Sequence, residues 1–172
     1  MTEAREERRE GRQLFCRIIT PERPVFDGEA DLVITRIADG DLGVLVDHAP
    51  TVSTVEIGEV RIHQGEERSI YATSDGFFKV SENLVQILVE EAVPPEEIDV
   101  EDAENRVEEA ERELAEVSDD DERRKEVMRR QRVAENLVRV ARRYEGEGSP
   151  GRLRGCNANV MRLLPLRNLL QS

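Results

Sequence analysis

Two histidines, two cysteines and several acid pairs are the side chains of this 172-residue chain that invite a catalytic or metal-binding reading. His48 and His63 lie 15 residues apart on different elements, so a metal site would need carboxylates to join them. The simpler reading is one turn histidine and one exposed strand histidine. Glu66-Glu67 and Glu96-Glu97 read as solvated loop acids. Cys16 falls in a strand and Cys156 in a tail, which suits a reducing compartment better than a disulfide scaffold. Cys16 reads as a small buried hydrophobe. The chain has no P-loop, no Gly-x-Ser-x-Gly, no His-Glu-x-x-His and no paired cysteines. Little here looks catalytic, and the stretch the chain turns on is Ala38 to Pro50. There Gly40 and Gly43 bracket Asp41 and Leu42, a spacing that predicts a short loop turning back at low steric cost. Val44-Leu45-Val46 reads as a short apolar strand. Asp47-His48-Ala49-Pro50 stops it, because Pro50 donates no backbone hydrogen bond and restricts its predecessor.

The elements that must position these residues are strands first and helices later. Leu14 to Ile19 is a strand with Leu14, Cys16 and Ile18 on one face and Phe15 and Arg17 on the other. Val25 to Gly28 reads as a short strand into a turn, and Glu29 to Ile37 as a strand covered on both faces. Thr51 to Ile57 and Glu59 to His63 are split by Gly58, with Val60 and Ile62 alternating against polar residues. Ser69 to Thr73, Phe77 to Val80 and Leu84 to Val89 complete the set. Turn signals recur every eight to twelve residues or so, the spacing of a sandwich or barrel. An antiparallel β-sandwich over residues 14–93 is expected. A domain this small buries only about 60% of its unfolded surface and is modestly stable alone.

At Val93-Pro94-Pro95 two prolines forbid a continued ladder and the period changes. Residues 94–145 are expected to form an antiparallel α-helical hairpin. Asp99 is a helix N-cap with Asp102 in the first turn, and Ala103, Val107, Ala110, Leu114 and Val117 form one seam. Ser118 can cap the second helix, with three aspartates at its positive end; Val127, Gln131, Ala134, Val138 and Ala141 form the second seam. The charges are segregated. Glu96 to Val117 holds eleven acids against Arg106 and Arg112, whereas Glu122 to Tyr144 holds nine bases against three glutamates. Exposed pairs contribute only about 0–1 kcal/mol each, and alanine-rich seams bury little area at about 25 cal/mol per Å2. Such a hairpin is poised to open or to leave its sandwich.

The totals limit partners. Charged residues make up 37% and the formal net charge is -13, which argues against wrapping nucleic acid or clinging to anionic lipid. No apolar run approaches the roughly 20 residues that span a bilayer. Residues 1–13 carry four acids and four bases, so they read as a disordered extension rather than a secretory signal. Together these predict a soluble cytoplasmic protein. Residues 146–172 read as a flexible basic tail, with Arg152, Arg154, Arg162 and Arg167 alongside Leu163, Leu164, Leu166, Leu169 and Leu170, and Pro165 interrupting any helix.

From about Leu14 to Tyr144 the chain resembles the epsilon subunits of rotary ATP synthases. The resemblance rests on Gly40-Asp41-Leu42-Gly43 and His48-Ala49-Pro50, with Thr20-Pro21 upstream, Ser74-Asp75-Gly76-Phe77 downstream and Ile98-Asp99 before a helix. Two departures occur: Asp47 replaces the usual glycine before His48, and Asp75 the usual glycine before Gly76. A glycine at 47 would permit a positive φ, which Asp tolerates better than most residues. The resemblance implies a non-catalytic central-stalk subunit that couples the rotor ring to the catalytic head through gamma. It implies rotor-ring and gamma contacts at Asp41, Leu42, His48, Ala49 and Pro50. It also implies an inhibitory hairpin whose basic face, with Arg123, Arg124, Arg129, Arg130 and Arg132 as candidates, meets an acidic segment of a beta subunit.

Some relatives in this family bind ATP through Ile-Asp-x-x-Arg-Ala. Here Ile98, Asp99 and Ala103 are kept, but Asp102 replaces the arginine and Glu109 falls where a second arginine is expected. An anion beside a polyphosphate reverses the Coulomb term, so no ATP site and no cofactor are expected. The location implied is the cytoplasmic face of the cell membrane, peripheral, with membrane association only through the complex. Two readings of other classes stand beside this one: a free-standing adaptor displaying a coiled hairpin to another protein, and an enzyme using the sandwich as a binding cup.

Overall fold

A computed structural model describes residues 13–117 and 122–145. The expectations for residues 1–12, for Ser118 and the three aspartates after it, and for the tail from 146 onward with Cys156, lie outside the described residues. Ten strands come first: β1 (Leu14–Ile19), β2 (Pro24–Ala30), β3 (Leu32–Ile37), β4 (Gly40–Val44), β5 (Thr51–Val55), β6 (Gly58–Gln64), β7 (Glu67–Thr73), β8 (Gly76–Ser81), β9 (Leu84–Val89) and β10 (Ala92–Val93). A single 3-10 turn at Pro95–Glu97 leads to α1 (Val100–Glu116) and α2 (Glu122–Tyr144).

The strands form two five-stranded sheets, ordered β2-β1-β9-β8-β5 and β10-β7-β6-β3-β4. Ladders are antiparallel except β1 with β9, which is parallel and joins the first strand of the sandwich to its last long one. Period-2 alternation decides what lies between the sheets. Leu14, Cys16, Ile18, Phe78, Val80, Val85 and Ile87 point inward from the first sheet, and Val33, Val44, Val60, Ile62 and Tyr71 from the second. Phe26 meets Tyr71 edge to face at 6.2 Å between ring centroids. A β-sandwich followed by a helical hairpin is therefore the fold, as the sequence predicts.

Several local expectations are corrected. Gly28 does not turn the chain: β2 runs on to Ala30, with Gly28 opposite Cys16. Its missing side chain leaves room for the Phe26 ring, which a Cβ would meet at 3.4 Å. Glu29 and Ala30 accordingly belong to β2, and the next strand starts at Leu32. Gly40 to Gly43 is not a loop. The turn falls at Ala38-Asp39, Gly40 takes φ 121, and Asp41, Leu42 and Gly43 pair with Arg36, Thr35 and Ile34 across the β3–β4 ladder. The apolar strand expected at Val44 to Val46 ends at Val44. Asp47 adopts φ 62 and donates its N–H to Asn83 Oδ1 at 2.7 Å, which ties this crossover to the β8–β9 turn.

In the hairpin, Asp99 caps α1 by accepting the Asp102 N–H at 3.1 Å. Both expected seams lie on the inner faces, with Ala103 and Ala110 buried on α1 and Val127, Ala134 and Ala141 on α2. The second helix has a further buried stripe that the sequence reading missed: Val133, Asn136, Leu137 and Val140. Leu137 and Val140 pack with Ala72 of β7 and Ala103, while Val93, Ile98 and Tyr144 close the edges. The hairpin thus lies on the outer face of the second sheet, and β7 is buried on both sides because of it.

Candidate functional site

The stretch around β4 spans an edge strand and the crossover to the first sheet. Asp41 stands near the start of β4, beside Arg36 on β3 and Arg61 on β6. Its Oδ1 accepts from Arg36 Nε at 2.9 Å and its Oδ2 from Arg61 Nη2 at 2.6 Å. Burial works against its charged form, but the hydrogen bonds and charges of the two guanidiniums outweigh this and hold the carboxyl below its usual range. Leu42, on the other side of the strand, packs against the sandwich core. His48, Ala49 and Pro50 lie past the far end of β4. His48 donates its backbone N–H to Leu45 O at 3.2 Å and its Nδ1 lies 2.8 Å from Ala49 O. Ala49 and Pro50 are exposed. Asp41 and the His48–Pro50 segment therefore occupy two ends of one edge rather than one loop.

The two outer faces of the sandwich differ. The second sheet is roofed at β7 by α2. Among the described residues no helix packs on the first sheet, which shows large apolar groups: Phe15 on β1, Phe77 on β8 and Leu88 on β9 are 43%, 65% and 45% exposed, and Val52 on β5 is 74% exposed. Phe77 and Leu88 face each other across the β8–β9 ladder. Alternation made these residues visible in the sequence as outward, but only the packing of the hairpin on the opposite sheet shows that nothing in the described chain covers them.

The five basic candidates do not form one surface. Arg123 and Arg130 both bond Glu113 of α1, at 2.7 and 2.5 Å. Hydrogen bonds from Arg123 and then Arg130 hold the Glu113 carboxyl below its usual range. Arg124 donates to the Leu114 and Val117 carbonyls at the end of α1, at 3.1 and 3.3 Å. Arg129 and Arg132 turn instead toward the sandwich. Arg129 bonds Asp75 and Glu90, both at 2.8 Å, and Arg132 approaches Glu56 at 3.8 Å. The hydrogen bond to Asp75 raises the Arg129 pKa above its ordinary value. At the far end of α2, Arg143 bonds Glu59 at 2.6 Å and Tyr144 donates to the same carboxylate.

The segment carried over from the nucleotide motif does structural work here. Asp99 is the cap, Ile98 and Ala103 pack under the hairpin, and Asp102 is exposed. An open groove of about 610 Å3 runs between the helices, lined by Glu104, Val107, Glu108, Glu135, Val138, Arg139 and Arg142. Three carboxylates against two guanidiniums, one of them already bonded to Glu104, make a poor cradle for phosphates. Among the described residues no group of three or more His, Cys, Asp or Glu side chains is placed to hold a metal. Burial pushes the Cys16 thiol up to about 12, so it packs as a hydrophobe.

Residues 13–95 match the family model described as ATP synthase, Delta/Epsilon chain, beta-sandwich domain. The ATP synthase epsilon chain of Rubrobacter xylanophilus is 67% identical over 142 residues, covering 80% of this chain and 97% of that one. The sodium-ion-specific ATP synthase epsilon chain of Propionigenium modestum is 38% identical over 103 residues, covering 60% and 75%. Among solved structures, a chain of the Euglena gracilis mitochondrial ATP synthase, in a cryo-EM structure of its OSCP/F1/c-ring, superposes with TM-score 0.61 at 26% identity, covering 74% of this chain and 81% of that one. A chain of the Tetrahymena thermophila mitochondrial ATP synthase central stalk and c-ring shares the fold, with TM-score 0.52 at 12% identity, covering 76% and 94%.

Proposed function

The chain belongs to the ATP synthase epsilon chains, non-catalytic accessory subunits, and from that membership we propose that its sandwich joins the rotor ring to the gamma subunit while its hairpin restrains ATP hydrolysis. The observation that carries the coupling half is the contrast between the sandwich faces. One is roofed by the chain's own hairpin; the other offers Phe15, Phe77, Leu88 and Val52 to solvent. An apolar patch on one sheet fits a packed subunit contact, and gamma is the partner assigned to it. The free edge of β4 and the exposed Ala49-Pro50 segment are assigned to the ring and its junction with gamma, with Asp41 arriving already paired to Arg36 and Arg61.

The inhibitory half is assigned to α2. Its basic side chains, Arg123, Arg124, Arg129, Arg130 and Arg132, would exchange their present partners, carboxylates for four of them and the α1 C-terminal carbonyls for Arg124, for an acidic segment of a beta subunit. The hairpin works without bound nucleotide on this reading, since Asp102 and the acid-lined groove repel polyphosphate; micromolar ATP binding by calorimetry would overturn that point. Among the described residues no helix is long and apolar enough to cross a membrane. The protein sits at the cytoplasmic face of the cell membrane through the complex on this reading.

Two assays test the proposal. Phe77→Glu should abolish copurification with gamma while leaving the isolated sandwich folded; full retention of gamma would remove the assigned face. Deleting residues 94–172 should raise ATPase activity of the assembled head without loosening its assembly. Unchanged hydrolysis would refute the brake.

A further inference from the structure

Asp75 has a partner 54 residues away. Ser74 builds the setting. Its N–H donates to Glu91 O at 3.0 Å, and its hydroxyl oxygen accepts the N–H groups of Glu90 and Glu91 at 3.0 and 3.1 Å. The β7–β8 turn and the β9–β10 turn are thereby stapled side by side. Gly76 completes the close approach: a Cβ there would lie 2.0 Å from the Leu88 carbonyl oxygen. Three carboxylates, Asp75, Glu90 and Glu91, are presented at one end of the sandwich. Each helix sends one arginine to them. Arg106 of α1 makes a two-pronged bond to Glu91 at 3.0 and 2.9 Å, and Arg129 of α2 bridges Asp75 and Glu90. The Arg129 side chain is 26% exposed.

We infer that this Ser74-stapled carboxylate platform is a lock that holds the hairpin on the sandwich, with Asp75 and Glu90 as the two jaws that close on Arg129. The lock deepens the reading of the hairpin as a brake and rests on that reading only for its purpose. The apolar grip between hairpin and sandwich is small, with Ala72, Ala103, Leu137 and Val140 at its centre. Charge therefore carries much of the attachment. Arg129 is also among the side chains wanted by an acidic partner, so the platform and the partner compete for one guanidinium. Asp75 shifts that competition toward the docked form.

The test uses the full chain with Cys156→Ser and spin labels at Glu66→Cys and Glu135→Cys, reading the docked and undocked distance populations. Raising salt from about 0.1 M to about 1 M shortens the screening length from about 10 Å to about 3 Å and should enlarge the undocked population several-fold. Arg129→Gln should raise the undocked population about tenfold at low salt, equivalent to about 1.4 kcal/mol, and flatten the salt response. Asp75→Gly should raise it about threefold, and Glu90→Gln by a similar factor. Asp75→Gly added to Arg129→Gln should do no more than Arg129→Gln alone, because the jaw has lost what it holds. An undocked population that ignores salt, or that is the same in Arg129→Gln as in the parent, would overturn the lock. Strict additivity of Asp75→Gly and Arg129→Gln would do so too. The readout needs no gamma, ring or beta subunit, so failure here leaves the stalk assignment standing, and failure of the copurification assay leaves the lock standing.

Discussion

The sandwich and the hairpin are held by different forces. Between the sheets lie Leu14, Ile18, Val60, Ile62, Phe78 and Val85, all fully shielded from water, with almost no polar atom among them. Between hairpin and sandwich lie one small apolar cluster, one buried amide and a ring of ion pairs. Dispersion and hydrophobic burial are not screened by salt and demand shape. Ion pairs are screened, directional and exchangeable for another partner's charges. The difference teaches how one short chain can combine a rigid body with an appendage fixed by exchangeable bonds. The proposed coupling would fall to the part with an oily interior, and the proposed brake to the part attached by bonds that water or a rival carboxylate can replace.

The largest effect should come from cutting the oily interior. Phe78→Ala removes a fully buried ring and should cost about 3–5 kcal/mol in urea unfolding of the sandwich, by the same amount at low and high salt. A loss below about 1 kcal/mol, or one that grows with salt, would erase the contrast. The next effect belongs to the hairpin interface. Asn136 is buried and donates its amide to Gly58 O at 2.8 Å and Thr73 O at 3.3 Å. Asn136→Ala strips both carbonyls of that donor and should weaken docking by about 1–3 kcal/mol. Hydrogen exchange should then quicken along the buried face of α2 while β8 and β9 keep their protection. Equal quickening in both would mean that the two parts unfold as one.

These attachments explain what could be read from the residues and what could not. Alternation made the strands and their inward faces plain, as at Leu14, Cys16 and Ile18, because a two-residue period has only one outcome when a single face is wet. Asp99 declared the start of α1 through its type alone. Gly40 and Gly43 misled, since two glycines in four residues mimic a loop, whereas here the turn needs one and the edge strand tolerates the other. The second stripe of α2 was in the sequence as Val133, Leu137, Val140 and Tyr144, but arginines interleave it and the hairpin seam had already accounted for one face. Arg129 with Asp75 was beyond local pattern altogether: neither side chain marks its partner until Ser74 brings the two turns together. The same holds for Arg36, Asp41 and Arg61, which three strands deliver to one point.

A smaller effect tests the sandwich interior from the opposite direction. Thr35 is fully buried and its hydroxyl finds no partner among the described residues. Thr35→Val keeps the shape and removes the stranded polar atom, so the sandwich should gain about 1 kcal/mol in urea unfolding. A loss of stability would mean that the hydroxyl is satisfied and that the interior is less purely apolar than described.

The smallest effect lies at the edge, where the sandwich uses the same kind of bond as the hairpin. Asp41 is held below its usual carboxyl range by Arg36 and Arg61. An unfolded aspartate titrates near about 3.9. A depressed folded value means that the native chain gives up this proton more readily, so the pairing stabilises at pH values above about 4 and fades as pH falls through the lower folded value. Asp41→Asn should therefore cost less than about 1 kcal/mol at neutral pH, because the carboxylate is 41% exposed and solvent screens it. The difference between parent and variant should shrink toward zero as unfolding is measured at successively lower pH, and high salt should shrink it as well. A difference that stays constant below pH ~4 would place its origin in packing or in the two unopposed arginines rather than in the charge of Asp41. In that case the edge would belong with the oily interior, and ion pairing would be confined to the hairpin's attachment.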